Sequence, residues 1–231
     1  MKTIGLIGGM SWESSAEYYR LINRAVNARL GGQHSARLVL ASVDFHEVAA
    51  AQHDDDWDRA ALPVVDAAQR LERAGADFAL LCTNTMHSIL DRVQRATPLP
   101  FLHLADATAE RAVAAGFTRV GLLGTRFTME KAFYRDRLAA HGLESIVPGA
   151  DDRNTVHRVI YDELCRGNVS EASRAAYSAI VRRLADAGAQ AAILGCTEIT
   201  LLVRAQDSVL PLLDTTRIHV EAAVDRALAS L

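Results

Sequence analysis

Leu71–Asn84 (LERAGADFALLCTN) aligns without a gap to Leu184–Thr197 (LADAGAQAAILGCT), and the alignment sets Thr83 opposite Cys196. A second match, Gly5–Gly9 (GLIGG) against Gly121–Thr125 (GLLGT), falls at nearly the same offset. A chain that carries the same strand-and-turn pieces twice is constrained to a duplicated α/β unit, with corresponding side chains at corresponding strand ends. Side chains facing each other from related halves suit a reaction that acts on both sides of one carbon. That geometry suggests stereochemical inversion.

Short Val/Ile/Leu runs alternate with longer amphipathic segments throughout, the pattern of parallel strands covered by helices. In the first half the pattern predicts strands over Thr3–Ile7, Leu38–Val43, Phe78–Cys82 and Phe101–Leu104, with helices over Glu13–Leu30, Trp57–Ala74 and Ser88–Arg95. The second half repeats the order with strands Arg119–Leu123, Ser145–Val147, Ala191–Leu194 and Leu210–Leu212. Its helices are expected over Met129–Ala140, Thr155–Arg166 and Glu171–Ala187. Ala105–Ala115 leads into the second unit, and Thr215–Ser230 is a terminal helix able to pack back on the first. The expected domains are 1–97 with 213–231, and 98–212. Gly75 and Gly188 follow the helix before each repeated strand, where a left-handed C-cap suits a residue without Cβ.

Half of the 231 residues are apolar and the formal net charge is −3, which excludes the composition of a disordered chain and the basic balance of a nucleic-acid binder. A small molecule is the expected partner. MKTIGLIGGMSWESS reads as a first strand and not a signal peptide, and no apolar run approaches the roughly 18 residues of a membrane span. Three cysteines, Cys82, Cys165 and Cys196, show no metal-ligand spacing, as expected of a reduced, cytoplasmic compartment. His53–Asp56 reads as a solvated loop whose Asp56 caps the next helix, with metal binding as the alternative.

Ligands of open α/β sheets bind beyond the carboxyl ends of the strands. Both repeated strands end there in small hydroxyl, amide and thiol side chains: Thr83-Asn84-Thr85-Met86-His87 and Cys196-Thr197-Glu198. Such turns can hold a carboxylate and leave a reactive group exposed; each alone reads equally as a helix cap. Cys82 falls opposite Gly195 in the repeat and reads as a core cysteine, and Cys165 as a packing residue. Cys196 is the candidate nucleophile or base, at a helix N-terminus expected to favour the thiolate. His87 is a candidate for positioning the substrate or a neighbouring hydroxyl. Glu198 is read as binding an ammonium group, orienting Cys196, or lining a helix first turn. GLIGGM lacks the full GxGxxG spacing of a dinucleotide site, so Gly8 and Gly9 read as permitting close approach to a ligand, with the Met10 backbone available to it.

GLIGGM, Asn84-Thr85-Met86-His87 and Gly195-Cys196-Thr197-Glu198 together resemble the aspartate/glutamate racemase family, over almost the whole chain. The resemblance implies two pseudo-symmetric α/β domains, each on a four-stranded parallel sheet, with the active site between them and no cofactor. It implies cysteines on both sides, one thiolate removing the α-proton while the opposite thiol returns one. Thr83 stands where that pattern has a cysteine, so the chain is most similar to the broad-specificity or L-aspartate/glutamate-specific branch with a Thr/Cys pair. The basic residues that hold a side-chain carboxylate in aspartate racemases have only His46, Gln52 or Arg166 as counterparts, so homoserine-like and other polar amino acids stand beside Asp and Glu.

The expectation is therefore a cofactor-independent amino-acid racemase with Thr83 and Cys196 as the two bases. Met10, Gln52, Asn84, Thr85, Thr197 and Glu198 would bind the substrate, with His46, His87 and Arg166 as further candidates and no metal. The alternatives are a single-cysteine decarboxylase or dicarboxylate cis-trans isomerase, and a non-catalytic amino-acid-binding protein. No nucleic acid or membrane partner is expected; the family often forms dimers, which raises a homodimer.

Overall fold

A computed structural model describes residues 1–229, and these divide into two compact units: Met1–Leu104 joined by the segment from His219 onward, and Ala105–Ile218. The first unit contains β1 (Ile4–Gly8), α1 (Trp12–Leu30), β2 (Leu38–Ser42), α2 (Phe45–His53), α3 (Trp57–Arg73), β3 (Phe78–Leu81) and α4 (Leu90–Arg95). The chain then runs through α5 (Leu104–Ala114), β4 (Arg119–Gly124), α6 (Arg126–Glu130), α7 (Ala132–Ala140) and β5 (Glu144–Ile146). It continues through α8 (Ala150–Arg158), α9 (Glu171–Asp186), β6 (Ala191–Gly195), α10 (Ile199–Leu202) and β7 (Leu212–Asp214). The last helix, α11 (Thr215–Leu228), crosses from the second unit into the first; Ser230, where the sequence pattern ends it, lies outside the described residues.

Both sheets are parallel, ordered β2-β1-β3 and β5-β4-β6-β7. The repeat is visible in the register: Ile4 pairs with Phe78, and their counterparts Val120 and Ala191 pair in turn. β1, β3 and β6 are buried along their whole length, as strands covered by helices on both faces must be. In the first unit one core layer joins the sheet to α2 and α3 and another joins it to α1 and α11. α3 shows why such helices form. Asp56 caps it by accepting the Arg59 N–H at 2.9 Å, and Ala60, Val64, Ala67, Ala68 and Leu71 recur at helical spacing on the buried face.

Several expected elements differ. Phe101–Leu104 is not a fourth strand: its pairing is the single bridge Ala79–Phe101, and the backbone groups of the next rung, the Leu102 carbonyl and the Leu104 N–H, are bonded to His219 and His87. The first sheet therefore has three strands and the second four. The counterpart, β7, begins after Pro211 and not at Leu210, with Ala192 N–H donating to the Pro211 carbonyl as Ala79 N–H donates to Pro100, both at 2.9 Å. α2 was not expected; Asp44 caps it through the His46 N–H. The helix expected over Met129–Ala140 is broken at Lys131, whose ψ of 146° is extended. That over Thr155–Arg166 is α8 followed by a wider π turn at Val159–Glu163 and a 3-10 turn at Leu164–Arg166. Among the described residues no helix is long and apolar enough to cross a membrane.

Candidate functional site

The glycine-rich loop after β1 is shaped by crowding. Gly9 has φ 95°, and a Cβ there would sit 2.1 Å from the Val43 carbonyl oxygen, so only glycine fits. Its N–H donates to Ser15 Oγ at 2.7 Å, and Ser15 Oγ–H donates to the Ser11 carbonyl at 2.9 Å. Met10 follows, buried, through a cis peptide bond to Ser11.

The first candidate turn leaves β3 at Cys82 and winds into a 3-10 turn over Thr85–Ile89. Ser14, on α1, donates to the Cys82 carbonyl at 3.2 Å, and Thr83 N–H donates to the Leu81 carbonyl at 2.8 Å. Thr83 keeps some exposure, while Asn84, Thr85 and His87 are buried. His87 Nδ1 bonds the Thr83 carbonyl at 2.7 Å, and its Nε2 receives the Leu104 N–H at 3.2 Å. With both nitrogens engaged by backbone, His87 shapes the turn. Gln52, on α2, lies beneath it and donates to Met86 Sδ at 2.9 Å. Cys82 is fully buried and its thiol pKa is pushed far up by that burial, as a core cysteine requires.

The second turn leaves β6 at Gly195, where a Cβ would lie 2.8 Å from the Leu123 carbonyl oxygen. Cys196 retains some exposure as a residue, yet its sulfur is surrounded by protein and donates to Glu198 Oε2 at 2.9 Å. Burial, the Glu198 charge and hydrogen bond, and then Cys165 raise the Cys196 pKa well above the ordinary thiol value. The expected thiolate is thus overturned. The following helix, α10, is only four residues long, and the neighbouring carboxylate outweighs what its N-terminus offers. Thr197 Oγ1 bonds Thr216 Oγ1 at 3.1 Å, and Thr200 Oγ1 donates to the Thr197 carbonyl at 2.7 Å.

Each turn gathers its own group: Thr83, Asn84, Thr85 and His87 in the first, Cys196, Thr197 and Glu198 in the second. His46 is exposed on the first turn of α2, and Arg166 is exposed at the end of its 3-10 turn. Asp56 caps α3, and among the described residues no group of three or more His, Cys, Asp or Glu is placed to hold a metal ion. Sequence reasoning missed two features. Cys165 shares the apolar cluster of Cys196, and Tyr161, carried in the π turn, has its phenol pushed up by burial and by the charges of Cys196, Cys165 and Glu198. In the first unit His219 lies buried beside His87 and His103, from a helix more than a hundred residues away.

The profile of the Asp/Glu/hydantoin racemases matches residues 7–223. The chain belongs to that family. Family membership makes it an enzyme of the isomerase class, and family and relatives together support amino-acid racemase activity. Its relatives include RacX of Bacillus subtilis (strain 168), a broad specificity amino-acid racemase, 24% identical over 174 residues, or 75% of each chain. A Yersinia pestis crystal structure, provisionally assigned as an Asp/Glu racemase, is 54% identical with a TM-score of 0.93, covering 99% of this chain and 100% of that one. An aspartate racemase homologue from Pyrococcus horikoshii OT3 is 32% identical with a TM-score of 0.85, covering 98% and 99% of the two chains.

Proposed function

We propose that the protein is a cofactor-independent racemase of Asp, Glu or other polar amino acids, with Cys196 and Thr83 serving opposite faces of the substrate Cα. The observation that carries this reading is positional. Thr83 and Cys196 follow strands that occupy the same place and register in two like sheets, and each turn presents small polar groups beside it. Asn84, Thr85 and Thr197 are the donors for the α-carboxylate, with the backbone near Met10.

Cys196 rests as a thiol bonded to Glu198, so it becomes a base only by handing that proton to the carboxylate. The thiolate then takes the α-hydrogen, and the enolate-like charge falls on the preorganised donors. Thr83 Oγ–H delivers a proton to the other face and recovers one from water, and Glu198 gives its proton up to solvent, which resets the site. A hydroxyl is far less acidic than a thiol, so Thr83 is the weaker partner in both directions. Because the enantiomers are equal in free energy in water, kcat/KM must be the same both ways. The imbalance therefore shows in kcat and KM separately, and in isotope exchange.

In deuterium oxide, solvent deuterium enters the α-position of an accepted amino acid, and Cys196→Ala abolishes the exchange. Absence of exchange across a panel of L- and D-amino acids contradicts the reading. Turnover without exchange would instead favour a decarboxylase or cis-trans isomerase.

A further inference from the structure

The two sheets differ by one rung of pairing. In the second, β7 pairs with β6 as far as Leu194–Asp214. In the first, pairing stops at the Ala79–Phe101 bridge. By the alternation of a parallel ladder, the next rung would join Leu81 to the Leu102 carbonyl and the Leu104 N–H. Both groups are bonded to imidazoles instead. His219 Nε2 lies 2.9 Å from the Leu102 carbonyl oxygen, and the Leu104 N–H donates to His87 Nε2 at 3.2 Å. The Leu81 carbonyl takes the Thr83 N–H at 2.8 Å. His87 Nδ1 in turn reaches the Thr83 carbonyl at 2.7 Å. Two histidines have replaced a ladder rung, and the released turn is the one that carries Thr83.

The protons on these rings follow from their partners. A carbonyl only accepts, so His219 carries its hydrogen on Nε2, and its Nδ1 accepts from Tyr18 Oη at 2.9 Å. His87 must donate to the Thr83 carbonyl from Nδ1 and accept the Leu104 N–H at Nε2, the opposite tautomer. The direction of donation thus runs from Tyr18 through His219 to the Leu102–Leu104 strap, and from the strap through His87 to Thr83. Tyr18 lies one helical turn beyond Ser14 on α1, and Ser14 fixes the preceding carbonyl, that of Cys82. The three side chains that carry these contacts are buried: Tyr18 and His219 are 0% exposed and His87 4%.

We propose that His219 is a positioning residue for Thr83, holding the strap so that His87 keeps the Thr83 carbonyl, and with it the Thr83 turn, in one orientation. This rests on the two-base reading above. It adds that the weaker partner is made usable by a fixed backbone, since a poor acid delivers a proton only when correctly aimed.

The test compares inversion with isotope exchange in deuterium oxide, using L- and D-aspartate, glutamate and homoserine. For the enantiomer that presents its hydrogen to Cys196, exchange with retained configuration needs Cys196 alone, whereas inversion also needs Thr83. His219→Phe keeps the ring volume but not the donor. It is expected to lower the inversion-to-exchange ratio about tenfold, the effect of losing one buried hydrogen bond's worth of alignment. His219→Gln, whose amide can donate to the Leu102 carbonyl, restores most of the ratio, and Tyr18→Phe lowers it by a smaller factor. An equal fall in inversion and exchange, following the melting temperature, means a merely structural role and overturns the proposal.

Nitrogen-15 spectra of the histidine rings read the same coupling without activity. The wild type should show His87 as the Nδ1–H tautomer, and His219→Phe should disturb that signal. An undisturbed His87 overturns the proposal even if no amino acid reacts. If Thr83→Val leaves the wild-type ratio unchanged, the two-base reading itself fails, which a normal His87 response in the spectra would separate from failure of the coupling.

Discussion

The Thr83 and Cys196 turns begin at the same register of two like sheets and then solve different problems. At Thr83 the backbone is held on both sides, by Leu81, His87 and the strap behind it, and no ionisable side chain bonds the hydroxyl in the contacts described above. At Cys196 the side chain itself is held, and burial together with the Glu198 carboxylate favours the proton on sulfur. One turn is held through its backbone and the other through its side chain. Duplication accounts for the shared position, and the later divergence of neighbours such as Thr85 and Glu198 accounts for the unequal chemistry.

The largest expected effect removes one side outright. Cys196→Ala should lower α-deuterium exchange by roughly 10³-fold or more with the enantiomer whose hydrogen faces Cys196, as loss of a base does, and should end inversion of both; retention of that exchange would show that Cys196 is not that base. The next effect concerns the rigidity of the Thr83 side. His219 is buried, and that burial lowers its pKa from 6.5 to about 4, opposed by the Leu102 carbonyl and reinforced by His103. Tyr18, His87 and His103 are the titratable groups that face it. A depressed imidazole pKa means the unfolded chain takes up a proton first as pH falls. Stability from this group is then fully present above about pH 6.5 and is lost between there and about pH 4, by about 3 kcal/mol. Denaturant titrations of the wild type and His219→Gln across that window should differ in pH slope; parallel slopes would mean that His219 is not held neutral.

A smaller effect isolates the Cys196 side. Glu198→Gln leaves the burial that raises the thiol pKa most but removes the charge that adds to it, so the thiolate appears at lower pH and alkylation by iodoacetamide near neutrality should quicken by about tenfold. Inversion should nevertheless slow, because Glu198 no longer accepts the thiol proton. Faster inversion would assign Glu198 to orientation only. The smallest change is Thr83→Cys, which matches the two sides and should bring the kcat values for the two enantiomers to within about threefold of each other.

Much of this arrangement is legible in the sequence because the repeat is local. LERAGADFALLCTN and LADAGAQAAILGCT each contain a helix end, a glycine turn, a buried strand and the reactive turn, and the structure keeps all of these in order. What was not legible depends on distant partners or on small backbone adjustments. The break at Lys131 and the π turn at Val159–Glu163 insert no glycine or proline signal. α2 hides behind an Asp44-Phe45-His46 stretch that reads as a loop until Asp44 is seen to cap it. The missing fourth strand depends on His219 and His87, which only the fold places beside Leu102 and Leu104. The thiolate expectation for Cys196 failed for a related reason. Sequence places a helix start there, while only the fold shows the Glu198 side chain turned back onto the sulfur.

We propose that the two turns are matched in place and mismatched in proton affinity. Following the α-deuterium content and configuration of each enantiomer in parallel, from the first turnovers of the wild-type protein in deuterium oxide, tests it most directly. The enantiomer whose hydrogen faces Cys196 should gain deuterium with its configuration retained faster than it inverts, whereas nearly every exchanged molecule of the other should be inverted. Equal exchange-to-inversion ratios for the two enantiomers would contradict the claim.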